Sequence, residues 1–318
     1  MSRVKIDIVK CHGSGNDFIM VDTTRNSEVL STVDWSEFAR RMCDRESGIG
    51  SDGVLLVVRH DDGIYGMDML NPDGTHAEMC GNGIRCVARM AYERGYLASG
   101  VLRSGGRDYP ISRAADMAEG IPCFTVDIHI STHSKDFTLL DDGQTLIDAV
   151  IPGLDAELRF TALSLGNPHI VAAVEHIDMK HLEVLGERVK HCGELFANGV
   201  NISFYECRSE NQLFVATYER GAGITLSCGT AMTASSSAAA LLGKVVAGSR
   251  IEVRNRGGRV FCATTIDGEN IVTRLEGNAT YEWLGEVCIE DDKYDYIITQ
   301  PTNEQSLWLA MVEQLNRA

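Results

Sequence analysis

Two of the ten cysteines, Cys80 and Cys228, each precede a small-residue turn that leads into a predicted helix. Each predicted helix ends at a glycine: Ile84–Tyr92 before Gly95, and Ala231–Leu242 before Gly243. The first turn of a helix has unpaired N–H groups and the positive end of the helix dipole, and both favour an anion. These positions therefore predict thiols with a lowered pKa, beside backbone groups that can bind a carboxylate.

That combination suits the removal of a proton next to a carboxylate. The negative charge that develops needs preorganised N–H donors, and inversion of a stereocentre needs a base on one face and an acid on the other. One thiolate and one thiol meet both needs. A single cysteine in such a turn would more simply be a small buried residue. We expect that simpler role for most of the other eight: Cys11, Cys43, Cys86, Cys123, Cys192, Cys207, Cys262 and Cys288.

An internal repeat places the two cysteines in related halves of the chain. Gly15–Ile19 resembles Gly166–Ile170, and Cys80–Gly83 resembles Cys228–Ala231. The asparagine in the first pair of segments precedes the cysteine by 64 residues in one half and by 61 in the other. The same signals in the same order at nearly the same separation indicate two related domains.

The periodicity of apolar residues predicts the elements that carry these segments. Alternation and β-branched residues predict strands at Lys5–Val9, Phe18–Asp22, Val54–Arg59, Tyr65–Leu70, Phe124–Ile130, Thr138–Leu140 and Thr145–Ile151. After the capping residue Asp34, apolar residues at helical spacing begin at Trp35. The segment Arg103–Pro122 carries no recognised motif and is expected to be a loop insertion. The pattern predicts an α+β fold with mostly antiparallel sheets.

The charge and the beginning of the chain restrict its partners. A formal net charge of −16 repels nucleic acids and anionic membranes. Met1–Cys11 lacks the apolar core and cleavage site of a signal peptide, and no apolar run is long enough to span a bilayer. We therefore expect a cytoplasmic protein that acts on a small molecule, with neither a nucleic-acid nor a membrane partner.

Several longer motifs resemble those of one known family, the diaminopimelate epimerases. The resemblance runs from about Val4 to about Glu286 and keeps the order of the motifs, which are His12–Phe18, Asp44–Arg45, Gly48–Gly53, Asn71–Cys86, Gly166–His169, Asn201, Glu219–Gly221 and Cys228–Thr230. It implies two pseudo-symmetric domains, each a mostly antiparallel sheet or barrel around a central helix. The first would comprise 1–126, rejoined by about 275–318, and the second 127–274.

The resemblance also implies roles for individual residues. Cys80 and Cys228 would be the acid–base pair that interconverts LL- and meso-diaminopimelate, in lysine and peptidoglycan precursor synthesis, without cofactor or metal. The backbone N–H groups that hold the reacting carboxylate would be those of Gly81, Asn82, Gly229 and Thr230. The residues that bind the distal end and the amino groups would be Asn16, Asn71, Asn167, Asn201, Glu219 and Arg220. His169 would orient Glu219 or a thiol.

Other interpretations stay open at this point. His76 and Ile224 stand where many family members have glutamate, so a racemase of another amino acid, such as histidine, is the main alternative. A cysteine hydrolase or thiol peroxidase would pair one cysteine with His169 but would not need two matching cysteines. A non-catalytic amino-acid-binding protein would use the same polar residues. Taken singly, the asparagines are also ordinary turn residues.

The C-terminal segment predicts a helix outside the family core. Thr302 would cap it with Gln305 reciprocating, and an apolar face would be formed by Trp308, Met311, Val312 and Leu315. So short a helix needs a surface to bury against, which is either the first domain or a second subunit in a homodimer. We expect its role to be structural.

Overall fold

The computed structural model describes residues 3–77, 79–133, 137, 144–191, 196 and 199–317. The chain divides into two compact units, Met1–Val126 with Gly277–Ala318, and Asp127–Glu276. The predicted strand at Thr138–Leu140 lies outside the described residues, and so do Glu78 and Cys192.

The chain alternates strands with a few helices. The strands are β1 (Val4–Gly13), β2 (Asn16–Asp22), β3 (Val54–Arg59), β4 (Tyr65–Leu70), β5 (His76–Ala77), β6 (Ser99–Ser104), β7 (Arg107–Arg113), β8 (Cys123–Ile130), β9 (Ala149–Val150), β10 (Arg159–Ser164), β11 (Pro168–Ala173), β12 (Asn201–Ser209), β13 (Gln212–Glu219), β14 (Gly223–Ile224), β15 (Ile251–Asn255), β16 (Gly258–Asp267), β17 (Asn270–Asn278), β18 (Thr280–Glu290) and β19 (Lys293–Pro301). The helices are α1 (Ser27–Leu30), α2 (Trp35–Met42), α3 (Gly81–Glu93), α4 (Met179–Lys190), α5 (Gly229–Leu241) and α6 (Glu304–Arg317).

The first unit wraps a sheet around helix α3. Its strands follow the order β19–β18–β1–β2–β3–β4–β6–β7, and the pairs β2–β3 and β4–β6 are parallel while the others are antiparallel. Helix α3 packs against β1, β2, β3, β4, β6 and β7, and every residue from Gly81 to Ala91 is buried. A helix that is buried all round in this way fixes the position of the residue at its start, which is Cys80.

The second unit repeats this plan around helix α5. Its strands follow the order β9–β10–β11–β12–β13–β15–β16–β17, with β11–β12 and β13–β15 parallel. Helix α5 packs against β10, β11, β12, β13, β15 and β16, and it is buried from Gly229 to Ala240. Each unit therefore runs hairpin, outer helix, hairpin, inner helix, which confirms the predicted α+β class and the internal repeat.

Local sequence signals account for most element boundaries. Helix α2 begins where Asp34 Oδ1 accepts the Glu37 N–H at 3.0 Å, and its apolar residues Phe38, Ala39 and Met42 are buried as the spacing predicts. Gly95 follows helix α3 with φ +71°, a conformation that glycine adopts without strain. The strand predictions at Val54–Arg59 and Tyr65–Leu70 match β3 and β4.

The prediction of a loop at Arg103–Pro122 is wrong, because most of its first half is a hairpin. Strands β6 and β7 pair around a two-glycine turn at Gly105 and Gly106, both with positive φ. The buried apolar side chains in these strands are Leu102, Tyr109 and Ile111, and Pro110 argues against a strand, so the period-two signal was too weak to recognise. The strand predicted at Thr145–Ile151 is also shorter, since only Ala149–Val150 pairs as β9.

Helix α6 has the predicted apolar face but not the predicted cap. Trp308 and Met311 are buried in a cluster with Ile121, and Val312 and Leu315 pack against it, so the helix docks on its own unit. The helix begins at Glu304, and Thr302 Oγ1 donates to the Glu282 carbonyl at 2.9 Å instead of capping. The local sequence predicts that the Thr302 hydroxyl caps the helix, but this hydroxyl hydrogen-bonds β18 instead.

The other cysteines mostly follow the expected pattern of burial. Five of them are buried: Cys11, Cys43, Cys86, Cys123 and Cys262. Cys207 is exposed, and the partly exposed Cys288 accepts a hydrogen bond from Arg3 Nε at 3.0 Å. Within the described part of the chain, no helix has the length and apolar character that crossing a bilayer requires.

Candidate active site

Cys80 occupies the capping position of helix α3. Its backbone is extended (φ −138°, ψ 114°), and its Sγ accepts the Gly83 N–H at 3.4 Å. The thiol in turn donates to Asn16 Oδ1 at 3.6 Å. Asn82 Nδ2 donates to the same oxygen at 3.2 Å. The first turn of the helix and the turn between β1 and β2 therefore meet at this sulfur.

Asn16 is itself held by a cluster of charged residues. Its Nδ2 donates to Asp52 Oδ2 at 2.7 Å, and Arg45 bridges Asp52 and Asp17 at 2.8 and 2.7 Å. Lys10 pairs with Asp17 from the other side. Burial raises the pKa of Asp17, but the hydrogen bond from Arg45 and the charge of Lys10 outweigh it and leave that pKa lowered. The amide of Asn16 thus has one fixed orientation, with its oxygen toward Cys80.

A buried arginine holds the first turn of helix α3 from below. Arg85 is fully buried, and its guanidinium donates to the Gly81 carbonyl at 2.8 Å and to Asn82 Oδ1 at 2.9 Å. A Cβ on Gly13 or on Gly277 would come within 2.9 Å of that guanidinium, so glycine is needed at both positions. The arginine places a positive charge close beneath the cysteine.

Cys228 occupies the corresponding position of helix α5 with different neighbours. Its backbone is also extended (φ −128°, ψ 109°), but its side chain makes no capping hydrogen bond. Its Sγ lies 3.4 Å from Thr230 Oγ1. Only 7% of the residue is exposed. This thiol is therefore more enclosed than Cys80 and is not held by its own helix in the same way.

The polar residues predicted for the second half gather around one histidine. His169 is fully buried, with Nε2 3.2 Å from Asn167 Oδ1 and 3.5 Å from Asn201 Nδ2. Asn167 Nδ2 donates to Thr230 Oγ1 at 3.2 Å. The contacts of His169 thus run to two asparagines, whereas the sequence suggested that it orients Glu219 or a thiol.

Glu219 is the last residue of strand β13, and Arg220 follows it. Asn201 Oδ1 accepts the Arg220 N–H at 3.0 Å, while the Arg220 side chain is exposed. Glu219 Oε1 accepts the Thr225 hydroxyl at 2.6 Å, and its carboxylate is close enough to Cys228 to raise the pKa of that thiol. Asn71 lies in the turn between β4 and β5, where its Nδ2 donates to Thr75 Oγ1 at 3.0 Å.

The segments that carry these residues match known proteins. The model of the diaminopimelate epimerase family matches residues 8–106 and 161–282, which include both cysteines and every candidate binding residue. A diaminopimelate epimerase of Enterococcus faecalis is 36% identical over 97% of this chain and 98% of that protein. One of Clostridium acetobutylicum is 37% identical over 92% of this chain and 88% of that protein. The chain belongs to the diaminopimelate epimerase family. It is therefore an isomerase of the epimerase type.

Solved structures with low sequence identity share the fold. A hydroxyproline epimerase from Agrobacterium vitis superposes with a TM-score of 0.63 at 14% identity, over 92% of this chain and 94% of that one. A phenazine biosynthesis protein of the PhzF family from Bacillus anthracis gives a TM-score of 0.62 at 18% identity, over 89% and 99% of the two chains. These likenesses support the α+β fold alone.

Burial reverses the predicted direction of the cysteine pKa shifts in this epimerase. It raises the pKa of Cys80 to about 11, although the N–H groups of Gly83 and Asn82 and the charge of Arg85 act in the opposite direction. Burial, followed by the carboxylate of Glu219, raises the pKa of Cys228 well above its ordinary value. The prediction of lowered pKa values is wrong for this structure, because loss of hydration on burial raises each thiol's pKa by more than the start of the helix lowers it.

The sequence interpretation missed the supporting residues of the epimerase site. It assigned no role to Asp52 and Arg45, which fix Asn16, or to Arg85, which supports the first turn of α3. One signal for Arg85 was available, since a cation in the apolar part of a predicted core helix is rare unless it binds buried acceptors. Thr225, which contacts Glu219, had no comparable signal.

Proposed function

We propose that this protein interconverts LL- and meso-diaminopimelate by proton transfer at one α-carbon, with Cys80 and Cys228 as the two acid–base groups. The observation that carries the proposal is that both thiols occupy the same position, at the start of a buried inner helix, in segments that match the family. In one direction a thiolate removes the α-proton and the other thiol donates a proton to the opposite face. The overall reaction needs no electron acceptor.

The starts of the helices supply the stabilisation that this chemistry requires. The first N–H groups of a helix have no partner within it, so those of Gly81, Asn82, Gly229 and Thr230 are suited to the carboxylate beside the reacting carbon. Negative charge moves onto that carboxylate as the proton leaves. Donors already in place stabilise it without reorganisation.

Formation of the thiolate is coupled to substrate binding in this proposal. Both thiols have raised pKa values in the structure, and for Cys228 the carboxylate of Glu219 contributes to the rise. A substrate ammonium group bound to Glu219 would remove that contribution and favour ionisation of the thiol. For Cys80, burial raises the pKa most, and two N–H groups and the charge of Arg85 act against it.

The remaining polar residues fit the other end of an amino acid with two zwitterionic groups. We assign that end of the substrate to Asn16, Asn71, Asn167, Asn201 and Arg220, whose side chains offer hydrogen-bond donors and acceptors. An enzyme that makes meso-diaminopimelate would serve lysine and peptidoglycan precursor synthesis, and we assign the protein to that role as part of the same proposal.

The decisive experiment follows LL-diaminopimelate in deuterium oxide by chiral chromatography and mass spectrometry. At early times we expect deuterium in the meso product but not in recovered substrate. The thiolate that removes the α-proton keeps that proton, and the opposite thiol supplies a deuteron from the solvent. Cys80→Ser and Cys228→Ser should each lower turnover by about 10³-fold, within the range for a lost acid–base group. Cys207→Ser, at an exposed position, is the matched control.

Two results would overturn the proposal. Wild-type turnover by either serine variant would exclude the two-thiol mechanism. Racemisation of histidine or another amino acid, with no action on diaminopimelate, would exclude the substrate but keep the chemistry.

A further inference from the structure

The C-terminal helix α6 lies outside the segment matched by the family, which ends at residue 282, yet it contacts residues of the family motifs. Its Gln305 Oε1 lies 2.6 Å from Nε2 of His12, at the end of β1. Its Glu304 makes a two-pronged ion pair with Arg89 of helix α3, with atom separations of 2.5 and 2.7 Å. The first turn of α6 therefore reaches both the helix that carries Cys80 and the strand that leads to Asn16.

The hydrogen bonds of His12 determine which of its nitrogens carries the proton. Gly15 N–H points at His12 Nδ1 at 3.2 Å, and a backbone N–H can only donate. Nδ1 must therefore present a lone pair, so the proton of the neutral ring is on Nε2. The partner of that proton is the carbonyl oxygen of Gln305. Burial lowers the pKa of His12 to about 4, so the ring is neutral near pH 7.

This tautomer holds the turn that places Asn16. The turn residues Ser14 and Gly15 both have positive φ, 55° and 82°, which is uncommon for serine. Their N–H groups are bound by Asn278 Oδ1 at 2.8 Å and by His12 Nδ1. Asn16 follows directly and sets its amide oxygen 3.6 Å from the Cys80 sulfur. Gln305, His12, Gly15 and Asn16 thus form a continuous path to the thiol.

We propose that Gln305 is a positioning residue for the reaction: it selects the His12 tautomer that holds the Ser14–Gly15 turn and so sets the contact between Asn16 and Cys80. The inference rests on the proposed epimerisation. It changes the role of helix α6 from simple packing, which Trp308 and Met311 provide, to support of the site.

Charged groups that face His12 from neighbouring elements shift the pKa of the ring in both directions. Lys10 on β1 disfavours the charged imidazolium, while Asp17 on β2 and Glu304 on α6 favour it. Glu304 is already paired with Arg89. Burial leaves His12 uncharged although the hydrogen bond to the neutral amide of Gln305 raises its pKa, whereas a carboxylate at that position would favour the imidazolium more strongly.

Gln305→Leu tests the acceptor and Gln305→Glu tests the charge. For Gln305→Leu we expect kcat to fall about tenfold with little change in KM, since a small displacement of a positioned group has effects of this order. Gln305→Glu keeps an acceptor for the Nε2 proton. It should match the wild type at alkaline pH and lose activity toward acid pH, where a protonated Nδ1 would oppose the Gly15 N–H.

Met311→Ala is the control, because it removes packing from the same helix, while the His12 ring hydrogen-bonds Gln305, Gly15 and Asn278. It should lower the melting temperature but leave kcat and the pH profile unchanged. Equal losses of kcat in Met311→Ala and Gln305→Leu, or wild-type kinetics in Gln305→Leu, would overturn the inference.

A measurement on the ring itself separates this inference from the proposed function. Nitrogen-15 NMR of the histidine side chains should give the Nε2–H signature for His12 in the wild type and its loss or exchange in Gln305→Leu. If the wild type does not epimerise diaminopimelate, the function fails while the spectra still decide the tautomer. A His12 ring protonated on Nδ1 in the wild type would overturn the inference, whatever the substrate.

Discussion

The two inner helices begin alike and are held in place differently. Counted from its cysteine, each has glycine at the first position, but the fifth position is Arg85 in α3 and Thr233 in α5, and the ninth is Arg89 and Ser237. Both fifth residues donate at 2.8 Å to the carbonyl of the first-position glycine. At the fifth position, a buried cation thus does in one unit what a hydroxyl does in the other.

This difference explains how two similar thiols acquire different electrostatic surroundings. Cys80 has Arg85 and two backbone N–H groups near its sulfur, which lower its pKa against the effect of burial. Cys228 has the carboxylate of Glu219, which adds to the effect of burial, while the Thr230 hydroxyl and the Ala231 N–H act against it. In the proposed mechanism, the two thiols that exchange acid and base roles would therefore have unequal surroundings before substrate binds. The following variants test that comparison.

The largest effect is expected from Arg85→Leu. It removes the donor to Asn82 Oδ1 and the Asn278 carbonyl, and a second donor to the Gly81 carbonyl, which keeps its bond within the helix; each buried acceptor without a partner costs about 1–3 kcal/mol. We expect the free energy of unfolding to fall by about 3–5 kcal/mol, measured by urea denaturation. Arg85→Lys, which keeps the charge, should lie in between. A loss below about 1 kcal/mol would mean that the cation does not support α3.

The next effect comes from the two buried histidines, one in each unit. Burial lowers the pKa from 6.5 to about 4 for His12 and to about 3 for His169. Because the unfolded chain binds the proton more tightly, the stability is present above about pH 6.5 and is lost as the pH falls toward 4. By pH 4 we expect a loss of about 3 kcal/mol per histidine. In denaturation experiments across pH, His12→Gln and His169→Gln should each abolish one histidine's part of this loss of stability, whereas His176→Gln, at an exposed position, should leave the loss unchanged. Identical curves of unfolding free energy against pH for all three variants would contradict this account.

A smaller effect is expected from Thr233→Val, the counterpart of the arginine change in helix α5. It removes one hydroxyl donor to the Gly229 carbonyl, which also belongs to the backbone of the helix. The expected loss is about 1 kcal/mol, the net contribution of one hydrogen bond. A loss as large as that of Arg85→Leu in the same denaturation series would show that the two helices are held equally firmly.

The smallest effect concerns the reactivity of the thiols. Glu219→Gln keeps an acceptor for the Thr225 hydroxyl but removes the negative charge that raises the pKa of Cys228. Alkylation of Cys228 at mildly alkaline pH should become several-fold faster, while that of Cys80, followed by mass spectrometry in the same sample, should not change. Glu206→Gln, elsewhere in the second unit, is the control. An unchanged rate at Cys228 would exclude Glu219 as a cause of the asymmetry.

Patterns in neighbouring residues predicted much of the fold and the identity of the central residues. The spacing of apolar residues located β3, β4 and α2, since those side chains face one core. The repeated glycine turn before a helix identified Cys80 and Cys228. The hairpin β6–β7 was missed because its signal depends on a few side chains whose partners come from other strands.

The sequence alone determined that two cysteines stand at the starts of two helices in a repeated plan. Helix starts and glycine turns depend on neighbouring residues, and a repeat is recognised by comparing two segments of the sequence. Tertiary structure decided the sign of the cysteine pKa shifts, because the loss of water around a sulfur depends on everything packed against it. It also decided that Thr302 does not cap α6 and that Gln305 reaches His12, across 293 residues of chain. Such contacts depend on which surfaces meet after folding, and no local pattern of residues specifies them.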